Sequence, residues 1–199
     1  MSKVQVDTID TRSGTSTMQI GSTNTSTINI GVSGDTVNIP SGVTIANAGT
    51  ATGFGGTMTP AFHAYSPNSY QAIANATNTV VNVSNERFDS DNAFSTSTKR
   101  FTPQTAGKYF VYGNIVRDGN WSAYARLYLA LNGNTAGGET LSNHSDDSGG
   151  NGGVHVSGII NMNGSSDYIE LIVRQDSGGS LNLWNSGQLN FFGGFRVLL

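Results

Sequence analysis

The chain has 199 residues, a net charge of −3 and a pI near 5.4, and charged residues make up 12% of it, against roughly 25% in an average domain. With no cluster of Lys or Arg it offers nucleic acid no basic surface, and with no Cys it has neither disulfides nor thiolate metal sites. Its 26 Gly, with Ser, Thr and Asn filling much of the remainder, fit an all-β protein with many turns or a fibre, long enough for one sizeable domain plus an appendage.

The first 59 residues repeat one theme: two apolar residues flanking a polar one, then a turn. It recurs in Met18-Gln19-Ile20-Gly21, Ile28-Asn29-Ile30-Gly31, Val37-Asn38-Ile39-Pro40 and Val43-Thr44-Ile45, about every ten residues and closer toward the end. Each unit predicts a short strand with apolar side chains on one side and Ser, Thr or Asn on the other. One such ribbon cannot offset the loss of about 1–2 kcal/mol of backbone entropy per ordered residue. The expectation is an intertwined, triple-β-helix-like stalk in which three copies place Ile20, Ile30, Ile39 and Ile45 in a shared interior. This pattern resembles the repeats of phage fibre and needle shafts; the competing reading is a disordered low-complexity tail. Residues 1–12 are expected to form a further strand or an anchor to other virion proteins, and 46–59, with Gly49, Gly53, Gly55 and Gly56, to be the linker that Pro60 closes.

Residues 60–199 read as strands separated by polar turns, with no convincing helix. Phe62 to Tyr65 and Thr79 to Val83 are short strands, and Tyr109 to Arg117 is a long one. Tyr124 to Leu131 ends at the strong turn signal Asn132-Gly133. A short strand around Glu139 to Leu141 leads into a loop from His144 to Gly153, and strands follow over Val154 to Met162, Tyr168 to Arg174 and Leu189 to Leu199, with Leu181 to Trp184 between. In the long strand Tyr109, Val111 and Ile115 point one way while Phe110, Tyr112 and Val116 point the other, so both faces are apolar and both need a cover. One cover is the core of a sandwich; the other is a neighbouring subunit, or further strands of a monomeric sandwich.

Val83, Asp89, Phe94, Phe101, Gly107 and Tyr109, followed by Val111 and Gly113, fall at fixed offsets. Their spacing resembles the signature of the complement C1q-like globular head, a member of the C1q and tumour-necrosis-factor family of trimeric jelly rolls. The spacing holds throughout, and the identities depart at Val83, Val111 and Gly113. The terminal run Phe191-Phe192-Gly193-Gly194-Phe195-Arg196-Val197-Leu198-Leu199 resembles the closing strand of such heads. The resemblance implies a homotrimeric jelly-roll head over 60–199, with Phe94, Phe101, Tyr109, Phe110, Tyr112, Phe191, Phe192 and Phe195 in its core or its subunit interface.

Strand parity places the loops around 176–188, 144–153 and 118–121 at the apex far from the stalk, and Asn132 to Gly137 and Asn163 to Ser166 at the stalk end. The candidate receptor contacts are therefore Asp118, Asn120, Trp121, His144, Asp146, Asp147, Asn151, Asp176 and Trp184. Trp stacking on a sugar ring, with Asp and Asn bonding its hydroxyls, is the physical basis. The alternative is that Trp121 and Trp184 are core or interface aromatics.

Catalytic patterns are missing: there is no G-x-S-x-G elbow, phosphate loop or H-E-x-x-H helix. His63, His144 and His155 lack metal-ligand spacing, and His144 with Asp146 and Asp147 falls short of a calcium-loop pattern. Glu139 and Glu170 are the only pair worth weighing for glycan cleavage, and nothing in the sequence brings them together. No enzyme activity, cofactor or metal is expected. The opening MSKVQVDTID has no apolar core for export, and no segment is apolar for long enough to insert into a membrane. The expectation is a virion-surface protein folded in the host cytoplasm: a trimeric phage fibre or spike whose head binds a host-surface glycan or protein. A capsid decoration protein with no receptor is the alternative.

Overall fold

A computed structural model describes residues 20, 23–24, 26–46, 48, 58–119, 124–137, 141–145 and 151–198, in two compact units, Met1–Thr52 and Gly53–Leu199.

The first unit is a ribbon without a ladder. Among its described residues no strand forms within one chain, and turns fall at 23–24, 33–34 and 41–42. The Val32 N–H donates to Asp35 Oδ2 at 2.9 Å, the Asp35 N–H returns to the Val32 carbonyl at 3.0 Å, and the Val43 N–H donates to the Pro40 carbonyl at 3.3 Å. Ile20, Ile28, Ile30, Val32, Val37, Ile39, Val43 and Ile45 are exposed by 45% to 79%. The short strands expected around Ile30, Ile39 and Ile45 are thus not made by one copy, because a lone ribbon has no second edge to pair with. Residues 1–12 and most of 46–59 lie outside the described residues.

The second unit contains β1 (Ala61–Tyr65), β2 (Gln71–Ile73), β3 (Thr79–Val80), β4 (Asn85–Asp89), β5 (Phe94–Ser95), β6 (Arg100–Phe101), β7 (Gly107–Val116), β8 (Ala125–Leu131), β9 (Leu141–Ser145), β10 (Gly153–Met162), β11 (Ile169–Gln175), β12 (Leu181–Leu183) and β13 (Phe191–Arg196). One sheet runs β10-β7-β13-β1-β4; the other runs β5-β6-β11-β8-β9, with β3 also on β11, and β12 pairs with β2. All these pairings are antiparallel.

Period-two alternation explains the core. From β7, Tyr109, Val111 and Ile115 turn inward; from β10, Val154, Val156, Ile160 and Met162; from β8 and β11, Leu127, Leu129, Leu171 and Val173. Phe62 stacks between Phe94, with centroids 5.0 Å apart, and Phe101, at 4.3 Å, and meets Phe192 edge-on at 4.8 Å. Phe94, Phe101, Tyr109 and Phe192 are therefore core residues of one subunit, each contributing about 1.5–3 kcal/mol by burial.

Among the boundaries that differ from expectation, three have a plain cause. His144 does not open a loop: its backbone lies in β9 opposite Arg126. Ser, Asn and His are weak strand formers, and pairing with β8 overrides that preference. The last strand begins at Phe191, because Leu189 and Asn190 turn back onto the Ser186 carbonyl at 3.1 and 3.2 Å. The strand over Thr79 to Val83 shortens to Thr79–Val80, although the Val81 N–H still reaches the Leu171 carbonyl at 2.8 Å.

Candidate functional site: an aromatic sheet face and an apex of loops

The motif residues between Val83 and Tyr109 build the fold. The Asp89 carboxylate accepts from the backbone N–H groups of Ala93 at 3.1 Å and Phe94 at 2.8 Å, closing the turn into β5. Phe94 pairs opposite Phe101 across the β5–β6 hairpin, and the Tyr109 hydroxyl donates to the Thr105 carbonyl at 2.7 Å.

The other side of the same sheet is different. Register sets three outward rungs across it. Ile159, Phe110, Phe195 and Ala61 form the first; Ser157, Tyr112, Gly193, His63 and Phe88 the second; His155, Asn114, Phe191, Tyr65 and Asn85 the third. Phe110 lies 5.5 Å from Phe195 and 6.2 Å from Tyr112, and His63 lies 5.6 Å from Phe191 and 6.0 Å from Tyr112. Ile159 and Phe88 remain 56% and 53% exposed, which leaves a broad aromatic patch uncovered by the subunit.

Gly193 makes the patch flat. A Cβ there would come within 2.4 Å of the Tyr112 hydroxyl, so only glycine lets that ring lie across the sheet and meet His63 Nδ1 at 3.0 Å. Burial first, and the Arg87 charge second, hold the His63 pKa below its ordinary value, while burial raises that of the Tyr112 hydroxyl.

At the end of the sandwich away from Ala61, Asp118, Asn151 and Trp184 gather beyond the last residues of β7. The Asp118 N–H donates to the Asn182 carbonyl at 2.9 Å, the Gly119 N–H to Asn151 Oδ1 at 2.7 Å, and the Trp184 N–H to the Val116 carbonyl at 2.8 Å. Beneath them Arg117 is fully buried, with Nε reaching the Gly152 carbonyl at 3.3 Å. The buried Asn190 side chain accepts from the Val116 N–H at 2.8 Å and donates to the Trp184 carbonyl at 2.6 Å. Asn151 and Asp176 are exposed, and Trp184 and Asp118 are half-buried. Asn120, Trp121, Asp146 and Asp147, and the His144 side chain, lie outside the described residues.

No group of three or more His, Cys, Asp or Glu that could hold a metal is found among the described residues. Glu170 is buried and tied to Arg100 Nε at 2.8 Å, with the guanidinium 4.0 Å above the Tyr168 ring, so it acts as a structural lock between β6 and β11. Glu139 lies outside the described residues.

No family model matches the sequence, and no curated protein matches it. Among solved structures, murine APRIL at pH 8.0 is similar with a TM-score of 0.51 and 12% identity over 69% of this chain and 98% of that one. Murine APRIL at pH 5.0 gives 0.50 and 13% over the same shares. The head is a jelly roll. It has the fold shared by the C1q and tumour-necrosis-factor proteins, and at these identities the likeness concerns the fold alone. Eiger TNF from S. frugiperda gives a TM-score of 0.44 and 14% identity over 69% of this chain and 91% of that one. Within this jelly roll, His63, Phe88 and Ile159 are the face residues that sequence reasoning passed over. Ile159 carried a signal: it is the one apolar side chain among the outward positions His155, Ser157, Ile159 and Asn161.

Proposed function

We propose that the chain is a homotrimeric bacteriophage fibre or spike: the ribbon winds with two copies into a stalk, and the jelly-roll head binds a host-surface glycan or protein. The observation that carries this reading is the uncovered aromatic face of Ile159, Phe110, Phe195, Tyr112, His63, Phe88 and Phe191. Covering a half-exposed Phe or Ile returns about 1 kcal/mol, and association costs about 4–15 kcal/mol. One such contact is too little; the same face on every copy, joined to the exposed Ile row of the ribbon, is enough. Three copies are favoured by the C1q-like spacing of the head and by the ribbon, whose apolar side needs a shared interior. Three heads per fibre, and several fibres per particle, turn weak individual contacts into firm attachment. Purified chain should bind host cells and slow the adsorption of particles, and antibody to the head should label a fibre tip; no cell binding and no competition would refute adhesion.

A second reading has its own support. Gly119, Gly152, Ser177, Gly178, Gly179 and Ser180 are prominent in the described loops at the end of the sandwich away from Ala61, the small-residue composition expected of a capsid decoration protein held through residues 1–12. Label spread over the capsid, with no cell binding, would favour it.

A further inference from the structure

Beside the aromatic face, four segments of the chain converge on a cavity of about 300 Å³. The end of β1 supplies Tyr65, the turn after it Asn68, edge strand β4 Glu86 and Arg87, and the turn before β13 Gly187 and Gln188. We propose that this cavity binds one neutral pyranose residue of a glycan through two adjacent hydroxyls. The proposal rests on the adhesive reading and names the ligand class and residues for it.

The volume lies at the small end of the range for ligand sites and suits a single ring. Its chemistry is that of a diol reader. The Glu86 carboxylate only accepts and the Arg87 guanidinium only donates, and among the described residues neither is engaged in an ion pair. Each sugar hydroxyl both donates and accepts, so one O–H of a vicinal pair can donate to Glu86 while the neighbouring oxygen accepts from Arg87. Asn68 Oδ1 is already taken by the Gly187 N–H at 3.3 Å, which turns its amide N–H groups toward use as donors, and the Gln188 amide offers both roles. The Glu86 and Arg87 charges sum to zero, so the cavity gives neither an anionic nor a cationic sugar a net electrostatic advantage, which favours a neutral ring.

Part of the wall is set by backbone packing before any ligand arrives. Arg87 Cζ sits 5.3 Å from the centroid of the Tyr65 ring, which limits where the guanidinium can go. A Cβ on Gly187 would come within 2.4 Å of the Ser66 carbonyl oxygen and 2.7 Å of Tyr65 Cδ2, so the glycine backbone closes directly onto the ring. Ser66 is buried and its N–H donates to the Asn190 carbonyl at 2.9 Å, so that wall cannot retreat. Tyr65 stands on the rung of Phe191, farthest from the first rung at Ala61, which puts the cavity at the apical margin of the aromatic face.

The full chain should be titrated with methyl α-D-glucopyranoside, methyl α-D-galactopyranoside, methyl α-D-mannopyranoside and sodium glucuronate, read by saturation-transfer NMR. At least one neutral glycoside should bind in preference to glucuronate. Glu86→Gln and Arg87→Ala, both at exposed positions that leave the core intact, should each weaken it roughly tenfold or more. Gly187→Ala should abolish it by moving Tyr65, and Ser165→Ala, at the opposite end, should change nothing. Silence from all three neutral glycosides at their solubility limit, a preference for glucuronate, or binding by both charge variants as tight as that of the parent would overturn the proposal. Cell binding that persists unchanged in Arg87→Ala would overturn it while leaving adhesion standing; glycoside binding without any cell binding would support the cavity and remove the adhesive reading.

Discussion

Replacing Phe110 by Asp separates the fold of one subunit from the assembly of three. Phe110 sits mid-row between Ile159 and Phe195, half-buried within its own subunit. In a lone head the new carboxylate can turn to water, at a cost of about 1–2 kcal/mol in lost packing, against a total stability of about 5–15 kcal/mol for an ordinary domain. The head should therefore still fold. In a trimer closed on this face, three carboxylates enter a dry seam; each loses about 1 kcal/mol of apolar burial and incurs a desolvation penalty of several kcal/mol. The sum, on the order of 10 kcal/mol, exceeds the roughly 8 kcal/mol that holds a micromolar complex. Sedimentation velocity on Phe110→Asp should show a 20.8 kDa species with a β-sheet circular dichroism spectrum, while Phe110→Leu sediments like the parent chain. A Phe110→Asp protein that sediments unchanged would show that this face is not the seam.

Three further outcomes follow from the same geometry. Asp89→Ala strips the acceptor from two backbone N–H groups at the entry to β5, so thermal unfolding should report a loss of about 1–3 kcal/mol, part of it recovered in Asp89→Asn. Equal melting of all three proteins would remove Asp89 from the turn. Because the folded-state pKa of His63 is depressed below 6.5, the unfolded chain binds the proton first as pH falls. That contribution to stability is complete above about pH 6.5 and declines as pH drops toward the folded pKa. Melting temperatures should thus fall more steeply with acid in the parent than in His63→Gln; parallel profiles would contradict this. In the ribbon, Ile30→Asp with Ile39→Asp should expose the first unit to protease while the head stays resistant, and a parent ribbon cleaved just as fast would mean that it has no packed interior to lose.

Much of the head was legible because its chemistry is local. The two apolar faces of Tyr109 to Val116 follow from parity, Asn132-Gly133 marks its turn with φ of 55° and 73°, and the spaced aromatics Phe94 and Phe101 announce a packed centre. What stayed hidden belongs to edges. The strand Asn-Glu-Arg-Phe-Asp at β4 and Leu-Ser-Asn-His-Ser at β9 have little strand preference of their own, and ladder bonds to β1 and β8 decide them. For that reason the sequence alone does not mark Phe88 as part of the aromatic face and puts His144 in a loop. The cavity at Tyr65, Glu86, Arg87 and Gly187 draws on segments more than one hundred residues apart, a meeting that no spacing encodes. The ribbon shows the reverse case: its repeat is plain in sequence, yet one copy has nothing to pair with.

The most direct test is the mass of the purified full-length chain in solution at micromolar concentration, by light scattering. The account predicts a single species of three times 20.8 kDa. A stable 20.8 kDa particle would mean that the aromatic face and the Ile row live in water unassisted, and the fibre would have to be abandoned.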